Sequence, residues 1–141
     1  MKENYPKAAV FTFGEEGWKA NIKGDVGGRT ILGVTEHFYP KDFAAMLNMT
    51  LEQAKAYALD FYKRTFWNPM GCDNMPYPLD CVAFDCSVNP GPSWTHHQLM
   101  IVKDWRQLNE IRRQHYKDTA KANVVKGLIN RCDATIKQYG K

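Results

Sequence analysis

The chain has 141 residues, 44% of them hydrophobic, with 19 lysines and arginines against 15 aspartates and glutamates, a formal net charge of +4. This composition excludes disordered and fibrous classes and predicts one globular domain over residues 1–141. We find neither a signal peptide nor an apolar run long enough to span a membrane, so we expect a chain made in the cytoplasm. The modest positive charge favours an anionic partner without identifying it.

The first predicted element is a helix over residues 5–15. Apolar residues recur there at helical spacing, and Pro6 stands at an early position where a helix tolerates proline. This helix carries two adjacent carboxylates, Glu15 and Glu16, at its C-terminal end.

Residues 19–35 are the stretch least suited to a helix, because four glycines interrupt it. Threonine and branched apolar residues at 30–32 and 34–35 predict a short strand or hairpin. The predicted fold class is therefore mainly α, with a small β or irregular insertion after the first helix.

Four further helices are predicted downstream. The clearest covers residues 51–66, since Thr50 is a suitable N-cap and Gln53 completes a capping box. Asn68-Pro69 and Gly71 are expected to end it. The others are predicted over residues 78–88, 94–116 with room for a break, and 119–138.

The two carboxylates precede a glycine-rich turn that contains Asp25, Gly27 and Gly28 and leads to Thr30. Helix packing can hold a glutamate partly desolvated, which raises its pKa toward that of a working general acid. Glycines let the backbone approach a substrate, and an aspartate and a threonine can orient a water molecule. Glycoside hydrolysis uses an acid and a water or second carboxylate in this way. The plain alternative, favoured by spacing alone, is a solvated helix end before an ordinary turn.

The order of the motifs resembles glycoside hydrolase family 108, the lysozymes and phage endolysins related to ZliS-type secretion activator proteins. DVGGRTILGVT at residues 25–35 is similar to the family's DPGG-x-T-x-x-G-[IV]-T signature. Further similar segments follow in the same order: TLEQAKAYALDFYKRTFWNPM, MPYPLDCVAFDCSVNPGP and GLINRCD. The resemblance implies a lysozyme-like helical domain, with a catalytic part at 1–90 and a shortened C-terminal helical part at 91–141 that resembles a peptidoglycan-binding region.

The resemblance also implies a general acid at the end of the first helix. Glu15 is that acid if Trp18 takes the family's aromatic position, whereas Glu16 is the acid if the spacing to Asp25 is kept without a gap. Adjacent helical residues point about 100° apart, so only one can face a cleft, and we favour Glu15. The implied catalytic residues are Glu15, Glu16, Asp25 and Thr30.

The implied substrate-binding residues are Trp18, Gly27, Gly28, Trp67, Asp85 and Asn89. For three of them a structural role is the alternative interpretation. Trp67, at a helix end, could equally belong to the core. Asp85 and Asn89, one helical turn apart, could cap helices or tie them together.

The implied activity is that of an N-acetylmuramidase, which hydrolyses the β-1,4 bond between N-acetylmuramic acid and N-acetylglucosamine in bacterial peptidoglycan. The resemblance further implies phage-mediated host lysis, holin-dependent release from the host cytoplasm to the cell wall, a monomer and no cofactor. The histidines and cysteines match no metal-ligand spacing, so we expect no metal site and free thiols.

A non-catalytic alternative is a cell-wall-binding, secretion-associated or nucleic-acid-binding protein on the same scaffold. It rests on the basic helical stretch at residues 106–126. Acidic residues interleave with the basic ones, which favours a solvated helix face, and we expect no nucleic-acid partner.

Overall fold

Helices supply most of the secondary structure in the computed structural model, which describes residues 1–21 and 29–141, apart from the side chains of Ala20 and Asn21. The mainly α class predicted from the sequence is confirmed. The chain divides into two compact units. Pro6–Thr65 is called the N-terminal unit, and Met1–Tyr5 with Phe66–Lys141 the C-terminal unit.

The α-helices in chain order are α1 (Tyr5–Glu16), α2 (Pro40–Met46), α3 (Leu51–Tyr62), α4 (Asn68–Met70), α5 (Leu79–Val88), α6 (Pro92–Leu99), α7 (Trp105–Thr119) and α8 (Val125–Tyr139). A π-helical segment, Lys63–Trp67, joins α3 to α4, and short 3-10 turns occupy Lys2–Asn4 and Cys72–Asn74. The strands β1 (Lys19–Asn21), β2 (Arg29–Ile31) and β3 (Val34–Thr35) form an antiparallel sheet in the order β1-β2-β3.

The predicted start of α3 is confirmed; the predicted stop at Asn68-Pro69 is wrong, whereas the predicted stop at Gly71 is confirmed. The Gln53 amide donates to Thr50 Oγ1 at 3.3 Å, and the Thr50 amide donates to Gln53 Oε1 at 3.0 Å, so the capping box forms. Pro69 does not stop the helix, because the chain widens into a π-helix and places the proline in the first turn of α4, where a missing N–H is tolerated. Gly71, with φ +75°, ends it in a left-handed cap.

Other boundaries differ from the sequence prediction where elements are short. The sequence does not predict α2 or β1, because seven and three residues show too little of a period. The final helix begins at Val125 instead of Thr119, and residues 100–104 form the break between α6 and α7.

The N-terminal unit buries one face of its β2–β3 hairpin. Ile31 and Val34 face each other across the two strands and are buried, and α2 packs against the same strands. Phe13 of α1 meets Tyr62 of α3 edge-on with ring centroids 5.2 Å apart. Since side chains alternate along a strand, the neighbouring Thr30–Thr35 pair lies on the opposite face of the hairpin.

The core of the C-terminal unit combines aromatic rings with a buried ion cluster. Trp67 packs edge-on against Tyr5 at 5.1 Å and Phe84 at 5.6 Å between ring centroids. Next to Phe84 in sequence, Asp85 of α5 binds two arginines, which lie on α7 and α8. This cluster joins the C-terminal helices through one carboxylate.

Candidate active site

The two candidate acids at the end of α1 have different surroundings. Glu15 is exposed and Glu16 is half-buried. The Glu16 side chain lies against the turn of the β2–β3 hairpin, since a methyl group on Gly33 would be 2.8 Å from Glu16 Cγ and 3.1 Å from its Cβ. Because Gly33 has no side chain, the Glu16 side chain can pack into this space.

The turn beside Glu16 has an unusual backbone. Leu32 and Gly33 both have positive φ, +49° and +80°. Two-residue hairpin turns often need positive φ at both central positions, but a leucine rarely adopts it. The Leu32 amide donates to the Trp18 carbonyl at 2.7 Å, and the Tyr62 hydroxyl donates to the Leu32 carbonyl. Strained backbone held by its neighbours is common at functional sites.

Tyr62 borders the same small space as Glu16. Its side chain is fully buried, and its hydroxyl, like Glu16 Cγ, would collide with a methyl group on Gly33. The site therefore places the Glu16 side chain, a phenol hydroxyl and a glycine together at the tip of the hairpin.

The other site residues of the N-terminal unit lie on the sheet or just before it. Trp18 is half-buried between α1 and β1, and the Lys19 ammonium lies 5.0 Å from its ring centroid. Thr30 is central in β2 and pairs with Thr35 of β3. The fold thus brings Glu15, Glu16, Trp18 and Thr30 into one unit. Three predicted site residues, Asp25, Gly27 and Gly28, lie outside the described residues.

Trp67 is a core residue, which corrects the sugar-stacking role predicted for it. It belongs to the C-terminal unit and is fully buried. Its indole N–H donates to Asp73 Oδ1 at 2.7 Å, so the polar end of the ring is also satisfied inside the protein. No face of this tryptophan remains for a sugar.

Asp85 likewise has a structural position instead of the predicted substrate contact. Arg112 Nη1 lies 2.8 Å from Asp85 Oδ2, while Arg131 donates to both carboxylate oxygens at 2.8 and 3.0 Å. Asn89 is half-buried, and the Tyr116 hydroxyl lies 2.8 Å from both its backbone carbonyl and its Oδ1. These contacts match the alternative in which the two residues tie helices together.

The basic stretch of α7 and α8 is only partly a solvent-facing surface. Arg112 of this stretch is buried in the ion cluster that it forms with Asp85 and Arg131. Arg113 pairs with Asp133 at 2.6 Å and with Glu110 at 3.4 Å. Because these guanidiniums are already engaged, the stretch offers fewer free charges for nucleic acid than the sequence suggests.

The cysteines do not supply a nucleophile. All four, Cys72, Cys81, Cys86 and Cys132, are buried and unpaired. Burial raises the pKa of Cys81 and of Cys86 to about 12, so both stay protonated near neutral pH.

Within residues 1–21 and 29–141, no group of histidine, cysteine, aspartate and glutamate side chains could hold a metal ion. No helix in this part of the chain is long and apolar enough to cross a membrane.

Comparison with known proteins supports the resemblance seen in the motifs. The family model for Glycosyl hydrolase 108 matches residues 9–91, which contain most of α1, the sheet and α2 through α5. Searches of curated proteins and of solved structures found no match. Since the family model covers more than half of the chain, this protein belongs to glycosyl hydrolase family 108.

Proposed function

We propose that this protein is an N-acetylmuramidase that cleaves the β-1,4 bond between N-acetylmuramic acid and N-acetylglucosamine in peptidoglycan, with Glu16 as its general acid. One observation carries the proposal. The Glu16 side chain is half-buried at the end of α1, where it lies against the strained hairpin turn. Family membership supports the wider class of glycoside hydrolase.

The choice of Glu16 over Glu15 follows from its packing against the hairpin turn and differs from our preference based on sequence. A general acid must meet the glycosidic oxygen at a defined position, so a side chain with a packing contact suits the role better than a freely exposed one. Glu16 is packed against Gly33, whereas Glu15 is exposed on the adjacent helical position. Contact of Glu16 Cβ and Cγ with the turn limits the positions that the carboxyl group can take, which favours a directed proton transfer.

In the proposed mechanism Glu16 protonates the glycosidic oxygen as the bond to the anomeric carbon breaks. Asp25 and Thr30 position the attacking water or stabilise the oxocarbenium-like transition state. Thr30 is suited to this because it lies centrally in β2 on the face opposite the buried Ile31. Trp18, Gly27 and Gly28 complete the proposed substrate contacts.

The proposed biological role is lysis of a bacterial host by a phage or prophage. The protein would accumulate in the host cytoplasm as a monomer and reach the cell wall after a separate holin opens the membrane. A muramidase of this kind needs no cofactor, because a carboxylic acid and water supply the whole chemistry.

The test compares the wild type with Glu16→Gln and Glu15→Gln on purified Gram-negative peptidoglycan. Released glycans are identified by mass, and new reducing ends are counted. We expect the wild type to produce muramic acid reducing ends and Glu16→Gln to lose about 10²- to 10⁴-fold in rate. Glu15→Gln is the matched control, one residue away on an exposed position, and should retain most activity.

The outcomes separate the competing interpretations. Loss of activity in Glu15→Gln alone would assign the acid to the exposed Glu15 and contradict the choice based on packing. Wild-type activity in both variants would exclude both carboxylates as the acid. If the wild type releases no glycan, the enzymatic proposal fails and the non-catalytic cell-wall-binding alternative stands.

A further inference from the structure

We infer that Phe38, just beyond β3, is an additional glycan-contact residue on which a sugar ring of the peptidoglycan strand stacks. The inference rests on the proposed function and extends the same site away from the bond that is cleaved. It is carried by the position of Phe38 relative to the hairpin, by the ordering of its backbone and by the exposure of its ring.

Phe38 lies at the opposite end of the hairpin from Glu16. The Glu16 side chain meets the turn at Gly33, whereas the Glu36 amide donates to the Arg29 carbonyl at 2.9 Å and extends the pairing of β2 and β3. Gly33 and Glu36 are separated by β3, a distance of roughly 10 Å in extended chain, and Phe38 lies in the turn that follows β3. A glycan that leaves the Glu16 end along the hairpin would therefore reach Phe38 beyond the cleavage point.

The backbone that carries Phe38 is held in place by Thr35. The Phe38 amide donates to Thr35 Oγ1 at 3.2 Å, and the Tyr39 amide donates to the Thr35 carbonyl at 2.9 Å. The His37 ring meets the Phe38 ring edge-on, with centroids 4.7 Å apart and planes 79° apart. An aromatic ring on an ordered backbone loses little conformational freedom when a ligand binds.

The ring of Phe38 is available for such a contact. The residue is 59% exposed, and within the described part of the N-terminal unit no other phenylalanine, tyrosine or tryptophan is exposed. Sugar rings present faces of C–H groups, which pack on aromatic faces as apolar surfaces do. Thr35 Oγ1 accepts from the Phe38 backbone amide, and the same hydroxyl can donate its hydrogen to a sugar oxygen.

The test measures binding without cleavage. A tetrasaccharide of alternating N-acetylglucosamine and N-acetylmuramic acid is titrated by calorimetry into the Glu16→Gln protein and into the same protein with Phe38→Ala. We expect Phe38→Ala to weaken binding about 3- to 10-fold, in line with the strength of an aromatic stack. Phe38→Trp should keep the affinity, whereas Phe38→Leu, which retains apolar bulk without a ring, should weaken it.

Val10→Ala is the matched control, because Val10 is 71% exposed on α1 and belongs to the same unit. It should leave binding unchanged. In the enzyme with Glu16 intact, Phe38→Ala should raise KM by the same 3- to 10-fold and change kcat little, because the stack lies away from the reacting bond.

The results distinguish this inference from the proposed function. A wild type that cleaves while Phe38→Ala keeps both its KM and its affinity overturns the glycan contact and leaves the muramidase intact. A wild type that does not cleave, with affinity lost in Phe38→Ala, supports the contact and removes the muramidase. Undetectable tetrasaccharide binding, or equal loss in Val10→Ala, overturns the contact.

Discussion

The two units place a carboxylate in different surroundings. In the C-terminal unit, the Asp85 side chain is 1% exposed and both its oxygens are bound by the guanidiniums of Arg112 and Arg131. In the N-terminal unit, Glu16 is half-buried between solvent and a hairpin turn, beside Gly33 and the Tyr62 hydroxyl.

This comparison shows that burial alone does not identify a catalytic carboxylate. Two adjacent cations favour the ionised form of Asp85, so it acts as a fixed charge that holds α5, α7 and α8 together. A general acid needs a carboxyl group that can give up a proton and regain it from water. Partial access to solvent, as at Glu16, fits that requirement better than burial between two arginines, as at Asp85.

The largest expected effect on stability comes from removing the fixed charge. Asp85→Ala should lower the free energy of unfolding by about 3–5 kcal/mol, because two buried guanidiniums lose their counter-ion. Urea denaturation followed by circular dichroism measures this. Asp133→Ala is the control in the same unit, since Asp133 is 60% exposed and pairs with Arg113, and should cost at most about 1 kcal/mol. Similar losses in the two variants would show that the buried cluster contributes no more than a surface pair.

A smaller effect should come from filling the space beside Glu16. Gly33→Ala adds a methyl group at a φ of +80° that collides with the Tyr62 hydroxyl and with Glu16 Cγ, so we expect a loss of about 1–3 kcal/mol. The turnover of peptidoglycan should also fall, because the added methyl group displaces the Glu16 side chain. Thermal unfolding and release of reducing ends test the two parts separately.

Gly14→Ala is the contrasting variant for that experiment. Gly14 is within α1, and apart from its chain neighbours and the backbone of its own helix a methyl group there would meet no atom within 4 Å. Alanine favours a helix over glycine, so this change should stabilise the protein by about 0.5–1 kcal/mol. A Gly33→Ala protein with unchanged stability and activity would contradict the close packing of Glu16 on the turn.

The smallest expected effect concerns a third carboxylate, Asp42 in the N-terminal unit. Burial tends to raise its pKa, but hydrogen bonds from Tyr57 and Arg64 outweigh it and hold the pKa below its usual value. A depressed pKa in the folded state adds stability above the unfolded value of about 3.9, and this stability is lost as the pH falls through the folded value.

Urea midpoints measured between about pH 3 and 6 should therefore fall toward the acid end, and Asp42→Asn should flatten that fall. Glu52→Gln is the control, because Glu52 is 86% exposed. Its ion pair with Lys55 is long, 3.9 Å between Oε1 and Nζ, and therefore weak. An equal flattening in Glu52→Gln would assign the pH dependence to general surface charge instead of to Asp42.

Local features were predictable from the sequence, and distant contacts were not. The capping box at Thr50 involves residues three apart, and the hairpin at 30–35 follows from its glycine and branched residues. The choice between Glu15 and Glu16 depends on which side of α1 faces Gly33, and no local pattern contains that information. Arg131 binds Asp85 across 46 residues, so the sequence predicts neither partner for the other.

Trp67 shows why a motif can match while its residue has another role. The letters around Trp67 follow the family pattern, but a tryptophan at a helix end fits a cleft or a core equally well. Only the positions of Tyr5, Phe84 and Asp73 around the ring decide between them.

The four buried thiols provide a built-in probe of one part of the molecule. Cys72, Cys81, Cys86 and Cys132 all belong to the C-terminal unit and are shielded from reagents while it stays closed. A thiol-alkylating reagent can react only when that unit opens, so the labelling rate in the native protein measures its opening equilibrium. The N-terminal unit has no cysteine and is therefore not alkylated. A cysteine introduced at the exposed position of Val10 would supply a thiol that reacts without opening, as a reference for the labelling rate.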